Sequence, residues 1–176
     1  MNRLFIALAS LGMLLVAVAA SQAAQAQAAL SETHIERIRQ NCVTAQTALS
    51  QIHASDALLR VNRGSLYENI SDKLMAPLNS RIALSRLEGL RMASIALEYD
   101  RRLDAFRVNY KQYEETMSRT LKINCAEKPV EFYESVTQTR QERRRLHENT
   151  RTITALLLDY KTGFEDFAKR FEEREG

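Results

Sequence analysis

The chain has 176 residues, with 25 Lys and Arg against 22 Asp and Glu and a formal net charge of +3. That near-balance argues against a dedicated nucleic-acid binder, where a basic excess would be the electrostatic footprint. Five glycines, two prolines and no tryptophan, without any alternating β-branched run, point to an all-α protein.

The N-terminus reads Met-Asn-Arg, then an apolar run from Leu4 to Ala20, then an Ala/Gln/Ser tract. This is the order of a signal peptide, with Ala26-Gln27-Ala28 as the favoured cleavage site and residues 1–28 as the leader. The expectation is export, to a periplasmic, cell-surface or extracellular place. An uncleaved N-terminal membrane anchor is the minor alternative, because the apolar run reaches the lower limit of about 17 residues for a span. Residues 29–176 then suit a single helical domain of net charge +2, since Arg3 is the one charged residue of the leader.

A first helix is expected from Ser31, with Thr33 and Glu36 spaced as a capping box and offering an alternative start. Its apolar series Ile35, Ile38, Cys42, Ala45, Leu49, Ile52 and Leu59 keeps a heptad rhythm. Arg60 to Gly64 reads as its end, with glycine suited to a left-handed cap. Ser65 and Glu68 open a short connecting helix that stops before Pro77. The central element is one helix from Asn79 to Asn124, about 65 Å long. Its seam passes through Leu78, Ile82, Ser85, Gly89, Met92, Ala96, Tyr99, Leu103, Phe106, Tyr110, Tyr113 and Met117. Lys128-Pro129 starts the last helix, with proline at a first-turn position. That helix runs to about Phe171 on a seam of Val136, Leu146, Ile153, Leu157, Tyr160, Phe164, Phe167 and Phe171. Two helices of similar length on a short connection predict an antiparallel hairpin. The whole is expected to be an elongated antiparallel three-helix bundle, or coiled-coil hairpin, with one short connecting helix. A turn near residue 127 sets level positions at sums of about 254. Phe164 would then face Leu90, Phe167 Leu87, Leu157 Leu97 and Phe171 Ala83. Arg140 would lie beside Glu114, and Arg151 near Asp104.

Cys42 and Cys125 are the two cysteines, and in an exported chain they favour an internal disulfide. Two unpaired thiols and an intermolecular bridge are the alternatives. An internal bridge would pin the first helix beside the hairpin turn, with about 20 residues left to climb to a point opposite Arg107 or Val108.

Catalytic and cofactor signatures are missing. His34, His53 and His147 are far apart, with no His-x-x-x-His or Glu-x-x-His pair, no Cys-x-x-Cys, no nucleophile elbow and no phosphate-cradling glycine loop. The expectation is therefore a non-enzyme with no cofactor and no metal. The most polar stretch, Thr139 to Arg151, places Arg140, Arg144, His147 and Arg151 on one helical stripe. This is either a docking surface for an anionic partner or a solvated face with local pairs such as Arg144–Glu148 and Arg151–Asp104.

The segments from Asn41-Cys42 through His53–Gly64 (HASDALLRVNRG), Lys73–Arg81 (KLMAPLNSR) and Tyr113–Cys125 (YEE…LKINC) resemble a group of uncharacterised short exported helical proteins of ultrasmall, reduced-genome, Saccharibacteria-type bacteria. The resemblance covers most of the mature chain and includes both cysteines. It implies a bacterial envelope or extracellular location and supplies no mechanism. The leading functional expectation is an adaptor-like or chaperone-like helical surface for an envelope or extracellular protein, with self-association open. The alternative is a binder of anionic wall polymer or of lipid at a membrane surface, through the basic stripe.

Overall fold

The computed structural model describes residues 30–175, and side chains through residue 174. The signal-peptide expectation for 1–28 lies outside the described residues. The chain divides into two compact units, Met1–Arg37 and Ile38–Gly176. Within the first, Ser31 caps a helix start. Its carbonyl accepts from the His34 and Ile35 N–H groups at 2.9 and 3.0 Å, and its Oγ lies 2.7 Å from His34 Nδ1.

All regular structure among the described residues is helical: α1 (Glu32–Gln40), α2 (Cys42–Ile70), α3 (Ala76–Leu84), α4 (Leu90–Lys122) and α5 (Pro129–Glu175). No described helix is long and apolar enough to cross a membrane. The second unit is a helical bundle built on α4 and α5. Near the connection between them, Thr120 Oγ1 meets Ser135 Oγ at 2.6 Å. At the far end Arg91 reaches Asp166 at 3.0 Å. The buried face of α4 holds Met92, Ala96, Tyr99, Leu103, Phe106, Tyr113 and Met117, all on the expected seam. Gly163 is the close approach, since a Cβ there would stand 3.4 Å from Met92 Cγ. Two of the expected pairs fail on facing, because Leu90 and Leu97 lie off the face that α4 buries. Leu90 is 87% exposed, Phe164 42% and Leu97 55%, so neither Phe164–Leu90 nor Leu157–Leu97 forms a core pair.

Three boundaries differ from the sequence reading. The expected first helix is interrupted at Asn41, where α1 ends and α2 begins. Gly64 does not end the first helix: α2 runs through it to Ile70 and passes by a π-helical turn, Ser71–Met75, directly into α3. Glycine costs about 1 kcal/mol in a helix interior, and burial of Tyr67 on the next turn outweighs it. No separate short helix intervenes between Ser65 and Pro77. The π turn gives Pro77 room inside a continuing helix. Proline lacks an N–H and crowds the carbonyl four residues back, and here the preceding bond already runs five residues back, from Ala76 N–H to Ser71 C=O.

The central helix does not start at Asn79. It begins at Leu90, because Ser85–Gly89 is a break. Leu87 N–H donates to Ile82 C=O at 3.0 Å and Arg86 N–H to Ala83 C=O at 3.1 Å. Arg86 is in the left-handed region, at φ 55°. That is a Schellman stop with arginine where glycine is usual. Leu87 and Ile82 then pack in the same core.

Between α4 and α5, Asn124 Oδ1 accepts from the Ala126 and Glu127 N–H groups at 3.2 and 3.4 Å, an Asx turn. Pro129 opens α5 as expected. Cys42 and Cys125 form the disulfide, with Cα atoms 5.5 Å apart.

The path of α2 is longer than the sequence implied. Instead of ending about 20 residues after Cys42, opposite Arg107, it continues along α4 as one helix to Ile70. Gln46 Nε2 donates to Ile123 C=O at 2.8 Å, Tyr113 OH to Asp56 at 2.6 Å, Arg107 to Glu68 at 3.1 Å and Tyr99 OH to Tyr67 C=O at 3.2 Å. Ser71 Oγ also donates to Asp100.

Candidate functional site: an arginine-lined groove

The apolar contacts of α2 fall into two groups. Near its start, Cys42, Ala45 and Leu49 pack with Cys125, Phe132 and Val136. From Tyr67 onward, Tyr67, Met75 and Ile82 join Met92, Tyr99, Ile153 and Tyr160. Between Leu49 and Tyr67 the helix buries no residue, because the sequence places His53, Asp56, Arg60 and Arg63 along this interval. The segment from α2 into α3 therefore meets α5 on both sides of the interval, at Phe132 and Val136 near Cys42 and where Tyr160 OH reaches Asn79 Oδ1. A groove of about 570 Å³ opens between α2 and α5.

Asp56, Leu59, Arg60 and Arg63 of α2 form one wall. Arg140, Arg143, Arg144, Leu146 and His147 of α5 supply the other, and Phe106 and Tyr110 of α4 belong to the lining. Helical spacing explains the second wall. Residues 140, 143, 144 and 147 are three and four apart and share one face. Arg151, the fourth member of the expected stripe, is exposed and outside the lining. The local pairs considered from sequence do not form. Asp104 instead binds Arg107 at 2.7 Å, and Glu114 binds His53 at 2.6 Å.

The one carboxylate in the lining is already engaged. Asp56 receives Arg143 in a two-pronged pair, Nε to Oδ2 at 2.6 Å and Nη2 to Oδ1 at 2.9 Å, and Tyr113 OH at 2.6 Å. Burial works to raise the Asp56 carboxyl. The hydrogen bonds from Arg143 and Tyr113 outweigh it and hold the group below the usual carboxylate range. The Arg60 guanidinium lies 5.0 Å from the Tyr110 ring centroid, a cation–π contact. Burial and the neighbouring Glu114 push the Tyr110 hydroxyl up to about 12, and it donates to Glu114 at 3.1 Å. Arg63, Arg140 and Arg144 have no carboxylate partner among the described residues.

The sequence reading did not anticipate Arg60, Arg63, Asp56 or Arg143 as neighbours. The first three stand on α2 ahead of Gly64, on the face that lines the groove. Arg143 stands within the Thr139–Arg151 stretch, three residues after Arg140 and four before His147, so helical spacing could have placed it on the same face. A second unanticipated feature is the polar seam between α4 and α5. Thr116 Oγ1 and Gln138 Nε2 donate to buried Glu142 Oε1 at 3.2 and 3.0 Å, leaving Oε2 without a protein partner. Among the described residues no group of three or more His, Cys, Asp or Glu is placed to hold a metal.

No family model, curated protein or solved structure matches the chain.

Proposed function

We propose that this is a non-enzymatic helical binding protein of the cell envelope or exterior whose working surface is the arginine groove, and that it takes an anionic envelope ligand there. The observation that carries the reading is the charge of the lining: five arginines and a histidine around one groove, with a single carboxylate that is already paired. Cations converging on a concave surface concentrate an anionic ligand more effectively than the same charges dispersed. Arginine's planar fork suits carboxylate, sulfate and phosphate oxygens. Export fits the leader-like order of residues 1–28 and the disulfide. An elongated antiparallel three-helix bundle is the arrangement that we favour. It is supported by the contacts of α2 and α5 with α4, in which one partner's number falls as the other's rises.

A second reading, an extended surface for a protein partner of the adaptor or chaperone type, draws support from apolar side chains that α2 and the π turn leave in solvent. Leu58, Val61, Leu66 and Leu74 are 64%, 55%, 55% and 62% exposed.

The test is binding of disulfide-intact protein to anionic phospholipid vesicles and to a soluble anionic wall polymer across a salt series. Binding is expected to weaken steeply as salt rises, and the Arg140→Glu/Arg144→Glu double variant should lose it. Salt-insensitive binding, or full binding by the double variant, would contradict the reading.

A further inference from the structure

The lining of the groove is not uniformly polar. Leu59 and Leu146 stand in the two walls beside the arginines, and Phe106 and Tyr110 lie with them. Leu59 is 48% exposed although it belongs to a helix with a packed interior on either side. A hydrated ion or a wholly polar chain laid here would gain nothing from covering these side chains. A ligand with an apolar body would gain roughly 25 cal/mol for each Å² removed from water.

The charge is also confined. From Arg140 to His147 the α5 wall extends about 10 Å along its helix, and the basic stripe continues only to Arg151, about one turn further. On the α2 side the basic stretch is bounded by carboxylates, Glu68 with Asp104 around Arg107 and Glu114 at His53. A polyanion needs a positive track that continues in both directions; here it meets negative charge. The volume of about 570 Å³ falls within the 300–1,000 Å³ range typical of small-molecule sites.

We infer that the groove between α2 and α5 holds one molecule of an amphipathic anion, a compact phosphate, sulfate or carboxylate head on an apolar chain or ring, taken up as a monomer. The head meets Arg140, Arg144 and the arginines of α2, and the body covers Leu59 and Leu146. The Asp56–Arg143 pair crosses between the walls and occupies one arginine internally, which leaves a surplus suited to a single small headgroup. This rests on the anion-binding reading above and narrows it.

The experiment is a calorimetric titration of the full, disulfide-intact protein. The probes are dodecyl phosphate below its micelle concentration, inorganic polyphosphate, dodecyl maltoside, and phosphatidylglycerol vesicles. Dodecyl phosphate is expected to bind about tenfold or more tighter than polyphosphate or dodecyl maltoside. Leu59→Asn, at a half-exposed position that the fold does not depend on, should weaken dodecyl phosphate several-fold and leave polyphosphate unchanged. Arg140→Glu/Arg144→Glu should remove dodecyl phosphate binding while helicity is retained. Tighter binding of polyphosphate, binding confined to vesicles, or indifference to Leu59→Asn would overturn the inference and leave the anion-binding reading in place. Equal binding of dodecyl phosphate and dodecyl maltoside, or no anion binding at all, would overturn both.

Discussion

The segment from α2 into α3 is held against α5 at both its ends, and by different means. At the Cys42 end the buried cluster is small, Cys42, Cys125 and Phe132 with a few half-buried neighbours, and a covalent bond supplements it. At the Met75 end no bond is needed. Tyr67, Met75 and Ile82 enter a core with Met92, Tyr99, Ile153 and Tyr160, and Tyr160 OH reaches Asn79 Oδ1 at 3.2 Å. Between them the helix has neither device, and that interval is where arginines face each other across a groove. Where apolar burial is thin, either a cross-link or a charge pair must hold the helices. The Asp56–Arg143–Tyr113 contact does so in the middle.

That contrast can be broken most severely at the disulfide. The bridge joins residues 83 apart, and in the chain-entropy model its loss removes about 4.5 kcal/mol. Urea unfolding of Cys42→Ser/Cys125→Ser should show most of that loss. A loss below about 1 kcal/mol would mean that the apolar end alone keeps α2 in place.

Asp56→Ala should cost less, about 2–3 kcal/mol, because it leaves the buried Tyr113 hydroxyl without its acceptor and Arg143 without its partner. The pH dependence has a definite sign. The folded carboxyl lies below the unfolded value, so its stabilisation is complete above about pH 4 and is lost as pH falls through the depressed folded value. The stability difference between wild type and Asp56→Ala should therefore be flat at neutral pH and shrink in acid. A difference that changed around neutrality would assign the effect to another group.

The smallest effects come from putting glycine where the backbone asks for it. Arg86 occupies a left-handed position, and a Cβ on Gly64 would meet nothing within 4 Å. Arg86→Gly and Gly64→Ala should each stabilise by about 0.5–1 kcal/mol, measured by thermal unfolding. Destabilisation by Gly64→Ala would show that α2 needs its flexibility there.

The same two positions show what was and was not legible in the sequence. The seam of α4 could be read because seven apolar residues recur at helical spacing and find burial in the structure. The disulfide followed from two cysteines in an exported-type chain. The α3–α4 break was hidden because its left-handed residue is an arginine, and because Gly89, the N-cap of α4, also fits the heptad seam that ran through it. The continuity of α2 was hidden for the opposite reason. Gly64 and the Ser65/Glu68 spacing are genuine stop and start signals, and the burial of Tyr67 and Met75 overrides them. The groove inherits that division. Arg140, Arg144 and His147 share a face by spacing alone. Their facing wall, Asp56, Leu59, Arg60 and Arg63, lies ahead of Gly64 on a stretch that also reads as helical, and what spacing did not give is that this face of α2 turns toward the arginines of α5.

Native-state amide hydrogen exchange along α2 of the disulfide-intact protein tests the central claim most directly, namely a helix fastened at both ends around an open, cation-lined middle. Exchange between Ile52 and Arg63 should be markedly faster than at Ala45–Leu49 or Tyr67–Met75, because opening free energy follows local burial. It should slow when dodecyl phosphate is added. Uniform protection along α2, unchanged by the anion, would contradict it.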